Sequence, residues 1–115
     1  MRVDIRELIE AFERHTKMKR ASRGSRSSGL KEAAFVPALN GMWVYMPGGR
    51  HFVVSHGGQL EREIRFEAKS LLRIQGVLKS IVGDAKLIEV TVEVGSCLFV
   101  SGSSRIHIET IEIRA

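Results

Sequence analysis

The chain has 115 residues, 43% of them hydrophobic, and a formal net charge of +5, which is enough for one apolar core and too short for two ordinary domains. Cys97 is the only cysteine, so an intramolecular disulfide is excluded and packing must hold the fold together. No uncharged apolar run approaches the ~18 residues a membrane helix requires, and the mixed-charge N-terminus does not read as a secretory signal, so no membrane span and a cytoplasmic setting are expected.

The first element is a helix. Ile5, Leu8, Ile9 and Phe12 recur at i, i+3, i+4 and i+7 and so form one apolar stripe. Asp4 followed by Glu7 resembles a capping box, and Asp4, Glu7, Glu10 and Glu13 precede the basic residues, an order that suits the helix dipole. Helical order is expected to fade between Lys19 and Gly24, giving a segmentation into a helix over 1–21, a basic Ser/Gly/Arg-rich connector over 22–32 and an α+β body over 33–115.

Across the end of that helix runs the most distinctive feature of the chain. Arg14, Lys17, Lys19, Arg20, Arg23 and Arg26 occur with no intervening acid, and residues 1–30 hold 8 basic and 4 acidic side chains against 10 and 9 in residues 31–115. Such an asymmetry suits contact with an anion. Cations interleaved with Ser and Gly suit a line of phosphates, because binding there gains from counterion release rather than from shape. Ser22 follows Lys19-Arg20-Ala21, a basic-upstream setting in which phosphorylation would cancel part of this charge.

From Ala33 onward the chain reads as strands punctuated by glycine. Residues 42–46, the turn Pro47-Gly48-Gly49-Arg50 and residues 51–56 predict a hairpin. Residues 60–66 alternate as a strand would, while Ile64, Ala68, Leu71, Leu72, Leu78 and Val82 recur as in a helix. Length favours a helix from Glu61 or Glu67 to Val82, stopping at Gly83-Asp84. Gly76 interrupts that helix, at a cost of about 1 kcal/mol relative to alanine. Ile88, Val90, Val92 and Val94 alternate with Glu89, Thr91 and Glu93, and two glycine turns complete a three-stranded meander whose phase slips near Glu109 and Thr110, as at a bulge. The expected fold is α+β, a single sandwich-like domain with two helices on an antiparallel sheet in the order α-β-β-α-β-β-β and a basic flexible segment. No internal repeat is evident.

The chemistry-bearing residues do not assemble into a catalytic signature. His51 and His56 are five apart and point to opposite faces of a strand. His107 and Glu109 share a face, with Glu89 or Glu93 across the meander, but such a patch reads as solvated surface. Cys97, in Cys-Leu-Phe-Val, reads as a small buried hydrophobe. The glycines at 48–49 and 57–58 lack a P-loop ending and read as turns. No enzyme activity, metal or other cofactor is therefore expected. Trp43 and Tyr45 share one strand face, opposite Met42, Val44 and Met46. With only seven aromatic residues in the chain, the pair reads as core. On an exposed sheet it would instead be a base-stacking pair, with Arg50 beside it.

Residues 41–55, the following amphipathic helix, residues 87–94 and Leu98-Phe99-Val100 together resemble the roadblock family of dynein light chains, similar in architecture to longin domains. The helix with Leu8, Ile9 and Phe12 would match that family's opening helix. The resemblance implies a non-enzymatic module that dimerises through a helix and a sheet edge and regulates partners such as small GTPases or motors, with no catalytic residues to carry over.

Two functional expectations stand side by side. The first is a small basic binding protein that contacts nucleic-acid phosphates, DNA or RNA, or an acidic protein surface, through Arg14, Lys17, Lys19, Arg20, Arg23 and Arg26, with Arg50 at the neighbouring turn. The second is a homodimeric, roadblock-like protein-interaction module in which the edge of the last strand, Ile106 to Ile113, pairs with another chain.

Overall fold

A cap fixes where the first helix begins. In the computed structural model, which describes residues 1–20, 32–81, 86–102 and 104–114, Asp4 Oδ1 accepts the backbone N–H of Glu7 at 3.0 Å, satisfying one of the four N–H groups that a helix start leaves without partners. Strand β1 (Arg2–Asp4) therefore passes directly into helix α1 (Ile5–Arg20). The stripe read from the sequence is the buried face, with Ile5, Leu8 and Phe12 fully inaccessible.

The remaining elements are β2 (Glu32–Ala38), β3 (Gly41–Met46), β4 (Gly49–Val54), β5 (Glu63–Glu67), α2 (Ala68–Ile81), β6 (Leu87–Glu93), β7 (Ser96–Ser101), β8 (Ser104–Glu109) and β9 (Glu112–Arg114). The class is α+β, but the strands form two antiparallel sheets, ordered β1-β6-β7-β8 and β4-β3-β2-β5-β9. The expected element order thus gains β1, β2, β5 and β9. The ambiguous stretch after Leu60 is both things in turn: alternation holds over Glu63–Glu67, with Ile64 and Phe66 buried, and helical spacing takes over at Ala68. The expected connector ends one residue early, since Glu32 already pairs with Glu67. The proposed stop at Gly83-Asp84 lies outside the described residues.

A repeat invisible in the residues is plain in the pairing. Strand, helix and three-stranded meander occur twice, as β1-α1-β2-β3-β4 and as β5-α2-β6-β7-β8. Each half lends its opening strand to the other: β1 pairs with β6, and β5 pairs with β2. The agreement extends to the first turn of each meander, where Asn40 and Gly95 hold equivalent second positions at φ of 64° and 73°. An L-residue avoids that region unless, like Asn, its side chain tolerates it. The halves share element order and the geometry of the first meander turn but not residue identities, so a search for recurring residues passes over them.

The phase slip near Glu109 marks a change of sheet rather than a bulge. β8 ends at Glu109 on β7, Ile111 N–H reaches Arg65 O at 2.8 Å, and β9 continues along β5. The final strand expected from Ile106 to Ile113 is thus two strands in two sheets, which is why Ile106 and Ile108 differ in parity from Ile111 and Ile113.

Phe35 of β2 joins the layers. Its ring lies 4.8 Å from Phe66 in its own sheet, 6.2 Å from Phe99 in the opposite sheet and 6.3 Å, stacked, from Phe12 of α1. All four rings are fully buried, and aromatic contacts of this kind add to what their buried area contributes. Both helices cover the inner face of the five-stranded sheet, α1 against β3 and β4, α2 against β5 and β2.

Candidate functional site

The two helices pack against each other. Lys79 Nζ of α2 donates to Glu13 Oε2 of α1 at 2.8 Å. α2 contains three cations, Lys69, Arg73 and Lys79, and no acid. Its apolar face is buried through Leu71, Ile74 and Leu78, which leaves Lys69 and Arg73 exposed. The last two turns of α1 carry Arg14, Lys17, Lys19 and Arg20. Two of the acids that precede them are already engaged, Glu13 with Lys79 and Glu7 with Val54 N–H at 2.8 Å. The helical side therefore joins the basic end of α1 to an acid-free basic helix.

The α2 contribution was missed in the sequence because Lys69, Arg73 and Lys79 are dispersed among apolar residues. Only the helical period, with Leu71, Ile74 and Leu78 turned inward, collects them outside. Gly76 lies on the same outer side, and a Cβ built on it would meet nothing within 4 Å. Packing among the described residues gives no reason for a glycine there. Arg23 and Arg26, with the rest of the connector, lie outside the described residues.

Arg50 is separate from this surface. It is on β4, on the outer face of the sheet whose inner face the helices cover. There Arg50 Nη1 donates to Tyr45 Oη at 3.2 Å and its guanidinium lies 4.3 Å from the Trp43 ring centroid. The core reading of Trp43 and Tyr45 is overturned. Met42 and Val44 are fully buried and Met46 nearly so, whereas Tyr45 is 37% exposed and Trp43 partly so. Both strand faces are apolar, and the helices fall on the methionine side.

Elsewhere the polar groups are engaged locally. Arg65 is held by Glu32 at 2.8 Å and Glu63 at 3.3 Å, and these hydrogen bonds, Glu32 first, raise it further above its ordinary value. His107 Nε2 faces Glu93 Oε1 at 3.5 Å, an exposed pair. Among the described residues no three His, Cys, Asp or Glu side chains are grouped so as to hold a metal. Cys97 is fully buried, and burial pushes its thiol up to about 12, so at neutral pH it is held as the protonated thiol. A cleft of about 710 Å³ opens between residues 59–62 and β6, with Leu60, Val90, Val92 and Ile113 among its lining. Among the described residues no helix is long and apolar enough to cross a membrane.

No protein family matches the chain, and no curated protein or solved structure matches it either.

Proposed function

We propose that this is a small non-enzymatic protein that binds the phosphate backbone of nucleic acid through its helical side, using Arg14, Lys17, Lys19 and Arg20 on α1, Lys69 and Arg73 on α2, and Arg23 and Arg26 of the connector. The observation that carries this reading is the packing of an acid-free basic helix against the helix whose end holds the basic cluster. Cations spread over two helix faces neutralise phosphates without reading base edges, so affinity is general rather than sequence-specific. Each contact steepens the logarithmic salt dependence by about 0.9 for duplex DNA and about 0.7 for single strands. Gln substitution at Arg14, Lys17, Lys19 and Arg20 together is the direct test by fluorescence anisotropy of a labelled oligonucleotide. Affinity at low salt should fall by at least tenfold, and unchanged affinity would refute the reading.

A second reading, a homodimeric roadblock-like interaction module that regulates GTPases, is favoured by the open sheet edges. Among the described residues β8 is bonded to no strand but β7, and β4 to no strand but β3. Unpaired N–H and C=O groups on such edges template association with another chain. Light scattering at high micromolar concentration tests it: a dimer supports it and a strict monomer refutes it.

A further inference from the structure

We infer that the outer face of β3 and β4 is a stacking platform for the bases of single-stranded nucleic acid, built by Trp43, Tyr45, Arg50 and Phe52. The four side chains form a continuous row. Phe52 meets Trp43 edge-on, with centroids 5.2 Å apart at 67°. Arg50 lies on the Trp43 ring at 4.3 Å and donates to Tyr45 Oη, its guanidinium 6.0 Å from the Tyr45 ring. The antiparallel register sets this order, since Trp43 is opposite Phe52 and Tyr45 is opposite Arg50. A Cβ at Gly41 would strike the Val53 carbonyl oxygen and come within 2.7 Å of the Phe52 ring, so glycine fits both the strand pairing and the row.

Two observations favour a nucleic-acid occupant over a protein one. The row is cationic and contains no carboxylate. The guanidinium lies over an indole at 4.3 Å, and a base stacks on an arginine plane as it does on an aromatic ring, while N–H groups other than the one given to Tyr45 can meet phosphate. Unpaired strands expose base faces and duplexes do not, so the platform selects single strands.

This inference shares its ligand class with the proposed function but uses the opposite face of the five-stranded sheet, so the two can fail independently. Trp43 is the only tryptophan in the chain, and its emission reports this face alone. The experiment titrates the protein with a deoxythymidine homopolymer and with a duplex of equal length, following Trp43 emission. The single strand should quench Trp43 saturably and the duplex should not. Tyr45→Ala and Arg50→Gln should each weaken the quenching titration by about 5- to 150-fold, the range for loss of one stacked base, while Tyr45→Phe, which keeps the ring, should stay near the parent. A Lys69→Gln/Arg73→Gln protein should still be quenched fully at saturation. Equal quenching by duplex, absence of quenching, or no effect of Tyr45→Ala and Arg50→Gln would overturn the inference. An emission change on raising protein concentration without nucleic acid would also overturn it, by showing that a second copy covers the face.

Discussion

Glu7 Oε1 accepts the backbone N–H of Val54 at 2.8 Å, across 47 residues of sequence. The Asp4–Glu7 spacing suggested a reciprocal capping box, and only half of it forms. Asp4 caps α1, while the Glu7 carboxylate turns instead to the last residue of an edge strand. It both ties α1 to β4 and occupies an N–H that another chain would otherwise use. Glu7→Ala should cost about 1 kcal/mol, the usual net worth of a hydrogen bond, and should abolish hydrogen-exchange protection at Val54. Protection unchanged at Val54 would show that the carboxylate does not hold the edge.

Phe35 contacts a ring in each neighbouring layer, so its truncation opens a cavity that no single element can collapse into. Phe35→Ala should cost about 3–5 kcal/mol, a large share of the roughly 5–15 kcal/mol that stabilises a domain. Urea unfolding checks this. A loss below about 1.5 kcal/mol would mean that the layers are joined elsewhere.

Gly76 separates stability from binding. With open space around it, Gly76→Ala should stabilise the protein by about 1 kcal/mol through helix propensity and reduced unfolded-state entropy. If the outer side of α2 meets a nucleic-acid backbone closely, the same methyl group should weaken oligonucleotide binding several-fold. Thermal unfolding and anisotropy on one sample check both effects, and tighter or equal binding would remove Gly76 from the interface.

Cys97 gives the protein a specific alkaline liability. Burial raises its folded pKa from 9.0 to about 12, so between those values the unfolded chain releases a proton that the native protein keeps. The stability the thiol contributes is therefore intact below pH 9 and falls as pH rises, by up to about 1.4 kcal/mol per pH unit, until the native thiol itself ionises. The difference in unfolding free energy between parent and Cys97→Ala isolates this group from the lysines. It should shrink steadily from pH 9 upward, and a difference independent of pH would contradict the burial.

Much of this fold was legible locally. The stripe Ile5, Leu8, Ile9 and Phe12 marked α1, and the alternation from Ile88 to Val92 marked β6, because each period exposes its own buried face. What escaped depended on partners distant in sequence. β1 is three residues long and is a strand only because Ile88 and its neighbours pair with it. β5 and α2 abut without a loop, so one apolar run carries two periods. Parity separated Trp43 and Tyr45 from Met42 and Val44, but both sets are apolar, and only the packing of α1 decides which lies inside. The basic end of α1 was evident from composition, whereas its continuation onto α2 required knowing that the helices touch.

The most direct test is the salt dependence of duplex binding by the parent and by Lys69→Gln/Arg73→Gln, two exposed residues whose loss leaves the core untouched. If the helical side is the phosphate-binding surface, the variant binds more weakly and its logarithmic salt slope is shallower by about 1.8, or about 0.9 for each lost contact. Identical slopes and affinities would contradict it, and would leave α2 as a solvated helix with no part in binding.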